Sequence, residues 1–247
     1  MTNGNLTRRR LLSVAASGLA TPALARFPHE VPPGLIFFVG NSFTRQHDIP
    51  AQVCSIARQS GVDAHCHRHT NNGARLGWSL DFARSISRDR GGPLPGPVVL
   101  QDHSIEPLTA YGRQRSAEAM AVYSAQFGRT VLFETWPRRA GHALYRHPEM
   151  PSGPVEMATI VRRHYAEQAR RLGAAHAPVA GAWISATDAG IDLFARDGYH
   201  ANPEGAWLCA MLLARALGIP EPFAATPPPT VDRQSARSLA AIAAATS

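Results

Sequence analysis

The sequence predicts an α/β fold of three layers (α/β/α), in which helices cover both faces of a central parallel sheet. Short, continuously apolar segments that end at glycine or polar residues are typical of strands buried on both faces. Segments with helical spacing alternate with them, and right-handed connections between parallel strands place helices on both sides of a sheet. The length of 247 residues fits one domain with a full core.

Strands and helices are predicted in alternation along the chain. The first strand covers residues 35–39 and stops at Gly40. The last helix runs to residue 217, with Asn202 as its cap and Pro203 as its first residue. Between them the predicted strands are 62–69, 98–100, 130–133 and 178–184, and the predicted helices are 50–59, 76–88, 113–127 and 155–172.

The first 25 residues have the pattern of an export signal. Arg8, Arg9 and Arg10 precede a mildly apolar stretch, and residues 23–25 read Ala-Leu-Ala, a cleavage signal. The segment resembles a twin-arginine (Tat) signal, which would make the Tat export machinery a partner. An ordinary Sec signal or an uncleaved basic start are the alternatives. No cysteine follows for a lipid anchor, so we expect a periplasmic or secreted protein.

Residues 26–220 form the predicted domain, and residues 221–247 are expected to be a loose C-terminal extension. The extension contains three consecutive prolines and a weak, alanine-rich end. No run of 18 or more apolar residues predicts a membrane span.

Charge and cysteine content exclude several classes of function. The formal charge of +7 includes the three arginines of the predicted signal, and its removal leaves 22 basic and 18 acidic residues. Arginines are not interleaved with aromatic residues, so we expect no nucleic-acid binding. Cys54, Cys66 and Cys209 are too few and too widely spaced for a disulfide framework or a redox motif. One pair could bridge in an oxidising compartment, but Cys54 and Cys209 are predicted as small core residues.

A serine follows the first predicted strand. Residues 40–44 read Gly-Asn-Ser-Phe-Thr, which puts Ser42 on a turn between a strand and a helix. Glycine permits the tight bend, and the start of a helix supplies oriented N–H groups. This turn could equally be a helix cap, so a catalytic Ser42 needs a base.

Asp197 and His200 can supply that base. Residues three apart on a turn can place a carboxylate against imidazole Nδ1 and leave Nε2 free to take a proton from a serine hydroxyl. The alternative is a turn in which Asp197 caps the next helix. In a parallel sheet the strand ends meet at one edge, so Ser42 and this pair should lie together.

These blocks resemble those of the SGNH/GDSL hydrolases. In that family the nucleophile lies in a G-[DN]-S block after the first strand, and an Asp-x-x-His block near the C-terminus completes the triad. The resemblance implies a flavodoxin-like SGNH hydrolase fold with Ser42, Asp197 and His200 as the catalytic triad. The variety with Gly-Asn-Ser-Phe-Thr first resembles an exported subgroup whose substrates do not follow from the family.

The resemblance also implies an oxyanion hole. The family uses the N–H of the serine, a glycine N–H and an asparagine side chain, which here suggests Ser42 and Gly73 for the first two. The usual Gly-x-Asn-Asp after the third strand is absent, and residues 99–104 read Val-Leu-Gln-Asp-His-Ser. Gln101 is the expected replacement, with Asn72 as the alternative donor. Asp102 and His103, as neighbours on a strand end, should point apart and are interpreted as incidental.

Two further features remain open. Trp136, after the fourth strand, is expected to line the acyl or sugar pocket together with Asn72, although it could instead be a packing residue. His65, His67 and His69 alternate along one strand and so share a face, which allows a metal site. A polar edge strand explains them equally well, and we assign no metal residues.

The sequence therefore predicts a serine esterase that needs no metal or organic cofactor. The expected substrate is a small-molecule or carbohydrate ester, with deacetylation of an extracellular molecule as one form of the reaction. The alternatives are a non-catalytic glycan-binding or scaffold protein that retains the fold, and a metal-dependent hydrolase that uses the histidine strand.

Overall fold

A computed structural model describes residues 34–246. Five parallel strands form one sheet in the order β2-β1-β3-β4-β5. The strands are β1 Leu35–Gly40, β2 His65–Thr70, β3 Leu94–Leu100, β4 Phe127–Phe133 and β5 Ala175–Ala177. The predicted α/β class with a parallel sheet is confirmed. The predicted export signal lies outside the described residues.

Eight helices accompany the sheet in the described part of the chain. They are α1 Ser42–Arg45, α2 Ile49–Gln59, α3 Leu80–Arg90, α4 Ala110–Ser124, α5 Pro154–Leu172, α6 Val179–Asp188, α7 Pro203–Ala216 and α8 Arg233–Ala245. None of these helices has both the length and the apolar character needed to cross a membrane.

The core lies on both faces of the sheet, and β1 shows why. Its residues alternate between two apolar clusters because successive strand side chains point to opposite faces. Phe38 belongs to the cluster that contains the inner faces of α2, α6, α7 and α8. Phe37 and Val39 belong to the cluster that contains those of α3, α4 and α5. The strand ends are thereby fixed between two layers of helices.

The prediction of a strand at residues 178–184 is wrong. The fifth strand lies just before it, at Ala175–Ala177, and most of the predicted segment belongs to helix α6. Val179, Ala182, Trp183 and Ala186 are buried at helical spacing. Short apolar runs do not distinguish a buried helix from a buried strand, and that ambiguity caused the error.

The segment after residue 220 is packed rather than loose. Helix α8 buries Leu239 and Ala243 fully in the core cluster on its side of the sheet. Arg215 of α7 donates from Nη1 to the carbonyl oxygens of Ala243 and Thr246 at 3.0 and 2.6 Å. The Ala243 carbonyl also accepts from the Thr246 N–H, so the two arginine bonds tie the capped end of α8 to α7.

A disulfide joins Cys54 of α2 to Cys66 of β2. The interpretation of Cys54 as only a small core residue was therefore incomplete, whereas Cys209 is a free, buried cysteine as expected. Periodicity placed Cys54 on a buried helix face but did not reveal that this face meets the edge strand.

Candidate active site

Ser42 begins helix α1 immediately after β1. Asn41 caps this helix, since its Oδ1 accepts a hydrogen bond from the Phe43 N–H at 3.0 Å. A β-carbon on Gly40 would overlap Thr44 Oγ1 and lie 2.6 Å from Gln101 Oε1. Glycine is therefore required for the chain to turn this closely from strand to helix.

Three predicted catalytic side chains meet at this turn. His200 Nε2 lies 2.8 Å from Ser42 Oγ, and His200 Nδ1 lies 2.7 Å from Asp197 Oδ2. Asp197 Oδ1 accepts hydrogen bonds from the backbone N–H groups of Tyr199 and His200, both at 3.0 Å. The arrangement can move a proton from the serine hydroxyl to an imidazole whose orientation a carboxylate maintains.

The turn around Asp197 keeps its carboxylate charged. Partial burial acts to raise the pKa of Asp197, but hydrogen bonds from the Tyr199 amide and from the ring and amide of His200 outweigh it. The pKa of Asp197 therefore lies below its ordinary value. A charged carboxylate is the form that stabilises an imidazolium on His200.

Trp136 supports this site from beneath and does not line a pocket. It is fully buried, stacks on Trp183 at 4.4 Å, and contacts the Phe43 ring at 4.5 Å. Its Nε1 donates to the carbonyl of Tyr199 at 2.9 Å. The prediction of a pocket-lining Trp136 is wrong because the β4 connection enters the core before it turns to the surface.

Gln101 does not supply the expected oxyanion donor. Its side chain is fully buried, and its Oε1 accepts from the Asn41 N–H at 3.0 Å and from Thr44 Oγ1 at 2.8 Å. Its Nε2 donates to the carbonyl of Asp102. The side-chain amide of Gln101 therefore makes its hydrogen bonds to the backbone and side chains around the serine turn. Gln101 is a structural support for Ser42.

Three side chains hold the loop that contains Gly73. Asn41 Nδ2 donates to the Ala74 carbonyl at 2.9 Å, and Arg45 Nε donates to Asn72 Oδ1 at 3.1 Å. The Leu76 N–H donates to Asp102 Oδ1 at 2.6 Å. Gly73 itself has a φ of 66°, a conformation that favours glycine. Asn72 is exposed at the rim of this loop, where a bound molecule could contact it.

Asp102 was interpreted as incidental, and the structure gives it a role. It is 1% exposed and its Oδ1 also accepts from the His103 N–H at 2.7 Å. Burial raises the pKa of Asp102 despite the hydrogen bonds from Leu76, His103 and Ser116. The residue links the loops after β2 and β3. The His103 ring is half-buried, and its Nδ1 has no hydrogen-bond partner among the described residues.

Arg138 is the main residue at this site that sequence reasoning missed. It follows Trp136 at the surface end of the β4 connection, yet it is only 7% exposed. Its guanidinium lies over the rings of Tyr199 and Phe43, at 4.6 and 5.4 Å from their centres. Position after a strand end was the only signal in the sequence that could have indicated it.

The histidines of β2 pack against aromatic rings or face solvent. His67 stacks on Phe37 at 5.0 Å, and His69 stacks between Phe82 at 4.0 Å and Trp78 at 4.7 Å. His65 lies on the exposed edge. In residues 34–246 no group of three histidine, cysteine or acidic side chains has the arrangement of a metal site.

No protein-family model and no curated relative matches the sequence. Among solved structures, a protein from Slackia heliotrinireducens assigned to the SGNH hydrolases is 28% identical, with a TM-score of 0.58. The similarity covers 74% of this chain and 98% of that protein. The chain has the SGNH hydrolase fold. The predicted resemblance to the SGNH/GDSL hydrolases is confirmed by the structural neighbours.

Two further structures of lower sequence identity share the fold of this chain. A DUF4886 family protein from Bacteroides uniformis is 16% identical with a TM-score of 0.70, over 85% of this chain and 92% of that one. An acetyl xylan esterase from Geobacillus stearothermophilus is 10% identical with a TM-score of 0.57, over 77% and 97%.

Proposed function

We propose that this chain is a serine esterase in which Ser42 is the nucleophile, His200 the base and Asp197 the group that orients it. The observation that carries the proposal is the continuous contact from Ser42 Oγ to His200 Nε2 at 2.8 Å and from His200 Nδ1 to Asp197 at 2.7 Å. The neighbouring SGNH hydrolases and esterases support a hydrolase that acts on ester bonds.

The first half of the reaction forms an acyl-enzyme. Ser42 Oγ forms a bond to the ester carbonyl carbon while its proton passes to His200 Nε2, and the carbonyl π electrons move onto oxygen. When the carbonyl re-forms, the bond to the alcohol oxygen breaks. His200 returns its proton to that oxygen, so the alcohol leaves neutral.

The second half releases the acid. Water takes the place of the alcohol and gives a proton to His200 Nε2 as its oxygen bonds the acyl carbon. The tetrahedral intermediate then expels Ser42 Oγ, which recovers the proton from His200. Asp197 stays ionised throughout and stabilises the imidazolium that forms in each half.

Two backbone N–H groups are the proposed core of the oxyanion hole. Ser42 is the first residue of α1, so its N–H has no acceptor within the helix. The N–H of Gly73 lies on the loop that Asn41 and Asp102 hold against the serine turn. Each such donor is typically worth about 3 kcal/mol in the transition state.

For the third donor we propose the ring of His103 in place of Gln101. His103 comes two residues after Gln101 on the same connection. Its Nδ1 is buried without a partner among residues 34–246, so Nε2 is the ring nitrogen proposed to donate to the substrate oxygen. Burial, helped by the nearby positive charge of Arg138, lowers the pKa of His103. A neutral ring carries one N–H to donate and adds no charge to the resting site.

A short acyl group on a carbohydrate or another extracellular molecule is the proposed substrate. One neighbouring structure is named an acetyl xylan esterase. It supports this proposed substrate only because it shares the fold of the chain.

A covalent probe tests the proposed activity. A fluorophosphonate should label the purified chain at Ser42, and the chain should hydrolyse 4-nitrophenyl acetate. Ser42→Ala should abolish both. If the wild-type chain is neither labelled nor faster than Ser42→Ala, the esterase proposal fails and the non-catalytic reading of the fold is favoured.

We also propose that the mature protein acts outside the cytoplasm after Tat export. The basic start and the Ala-Leu-Ala at residues 23–25 support this location, as does the Cys54–Cys66 disulfide, since disulfides persist in oxidising compartments. Replacing Arg8 and Arg9 by lysine should block export of a fused reporter that requires the Tat route. Export of the doubly substituted fusion would contradict the Tat assignment.

A further inference from the structure

Arg138 carries a buried positive charge that the described residues do not neutralise. It is 7% exposed, and within residues 34–246 its guanidinium makes one hydrogen bond, from Nη2 to Ser104 Oγ at 2.8 Å. Nη1 is buried without a hydrogen-bond partner in residues 34–246. No carboxylate in that range lies within ion-pair distance of Arg138.

This charge lies over two aromatic rings whose residues adjoin the reacting residues in the chain. The guanidinium lies 4.6 Å over the Tyr199 ring and 5.4 Å over the Phe43 ring. These residues are the direct neighbours of His200 and Ser42 in the chain. Arg138 therefore packs against a chain neighbour of the nucleophile and a chain neighbour of the base.

Packing alone does not account for an arginine at this place. Removing a charge from water without a hydrogen-bonded counter-charge is costly, and an apolar side chain of similar volume would pack more favourably. Burial lowers the pKa of Arg138 to about 10, with Tyr199, Tyr145 and Asp197 acting in the opposite direction. At neutral pH the side chain thus remains a cation with an unused, planar donor.

A second cation without a carboxylate partner among the described residues lies on helix α1, which begins at the nucleophile. Arg45, at the end of α1, is exposed and donates to Asn72 Oδ1 next to Gly73. It too has no carboxylate partner among the residues that the structure describes. Two arginines without carboxylate partners thus lie near the serine turn, and each of them favours an approaching anion.

We propose that Arg138 binds a carboxylate group carried by the substrate, so that the preferred esters are anionic. The inference rests on the proposed esterase function and adds the substrate class. A guanidinium binds a carboxylate through parallel N–H donors, and the buried Nη1 has no acceptor among residues 34–246. Arg45 contributes through its charge, which draws the anionic ester toward the site.

Matched pairs of esters test the preference. Mono-4-nitrophenyl succinate and 4-nitrophenyl butyrate differ in a carboxylate on the acyl side, and 4-acetoxybenzoate and its methyl ester differ in one on the alcohol side. In at least one pair the wild type should prefer the anionic ester by about 10- to 100-fold in kcat/KM, the size of a charge-assisted hydrogen bond. Arg138→Gln should bring that ratio close to one, and Arg138→Lys should keep part of it.

Arg139→Gln is the matched control, because Arg139 is the next residue, is exposed and is paired with Asp192. It should retain the preference for the anionic ester. Equal rates for both members of each pair, or a preference that survives in Arg138→Gln, would overturn the carboxylate site while leaving the esterase proposal intact.

A binding measurement separates the two proposals when catalysis fails. Calorimetry with 4-hydroxybenzoate and with succinate on Ser42→Ala should show binding of at least one of them, weakened about 10-fold or more by adding Arg138→Gln. Absence of binding to Ser42→Ala, or binding that is insensitive to Arg138→Gln, contradicts the carboxylate site whether or not the wild type hydrolyses esters.

Discussion

The Nδ1 atom of His200 lies 2.7 Å from Oδ2 of Asp197, within a turn that also directs two backbone N–H groups at the other carboxylate oxygen. The turn is closed by hydrogen bonds from Ala195 N–H to the His200 carbonyl and from Gly198 N–H to the Ala195 carbonyl. Asp197 is therefore held as a charged acceptor before any substrate binds.

Replacing this acceptor should impair catalysis far more than folding. Asp197→Asn keeps the size of the side chain but removes the charge and can reverse the hydrogen bond to His200. We expect kcat for 4-nitrophenyl acetate to fall on the order of 10²- to 10⁴-fold. The midpoint of thermal unfolding should change little, since the side chain is exposed. A variant with nearly wild-type kcat would remove Asp197 from the triad.

Asn41 should affect the oxyanion hole through the loop that it holds. Asn41→Ala removes both the cap of α1 and the bond to the Ala74 carbonyl, whereas Asn41→Asp keeps the cap and loses the donor to Ala74. We expect Asn41→Asp to lower kcat about 10-fold and to lose stability because its buried carboxylate faces the Ala74 carbonyl. Asn41→Ala should also lower kcat, and it should lose about 1 kcal/mol of stability with the cap. Equal kcat in Asn41→Asp and wild type would show that the tether is not needed.

Gln101 and His103 should differ in what they support. Gln101→Leu leaves the Asn41 N–H and the Thr44 hydroxyl without their acceptor, so the free energy of unfolding should fall by about 2 to 4 kcal/mol. His103→Ala should lower kcat about 10²-fold, with a much smaller loss of stability. Urea unfolding and steady-state kinetics on both variants separate the two roles. A His103→Ala variant with unchanged kcat would leave only backbone donors in the hole.

The Cys54–Cys66 disulfide should stabilise the edge of the sheet next to the Gly73 loop. Its partners are 12 residues apart, and a loop of this size corresponds to about 3 kcal/mol of unfolding free energy in the chain-entropy view. Unfolding of Cys54→Ala/Cys66→Ala by urea measures that loss. Thiol titration of the denatured wild type should detect one free cysteine before reduction and three after it. Three thiols before reduction would contradict the pairing.

His164 should make stability depend on pH. It is 2% exposed in α5, its Nε2 lies 3.1 Å from Ser116 Oγ, and burial lowers its pKa from 6.5 to about 4. As the pH falls, His164 therefore takes up a proton in the unfolded chain before it does so in the folded protein. The free energy of unfolding thus has its full value above pH 6.5 and decreases progressively toward pH 4, by about 2 kcal/mol between pH 7.5 and 5.

The variant His164→Gln isolates this effect. It keeps a polar group near Ser116 but cannot take up a proton, so its unfolding free energy should fall less between pH 7.5 and 5 than that of the wild type. The difference between the two slopes, measured by urea unfolding, is the contribution of His164. Parallel slopes would show that this histidine is not held neutral by the fold.

Local patterns in the sequence determined the α/β class, four of the five strands and the three residues of the proposed triad. Ser42 follows a continuously apolar strand, and Asp197 and His200 are close enough in the chain for one turn to bring them together. Those relations depend on periodicity and on short spacings, and both can be read directly from the sequence. The twin-arginine segment is equally local, and it remains a prediction from the sequence.

Tertiary packing decided what the sequence could not. Three outcomes depended on contacts between segments that are distant in the chain. Gln101 faces the serine turn and not a substrate, Trp136 lies in the core and not at a pocket, and Cys54 meets Cys66. The direction of a side chain at a strand end is set by the neighbours that pack against it. For the same reason Arg138, one of many arginines in the sequence, became distinct only where folding buried its charge over the rings of Phe43 and Tyr199.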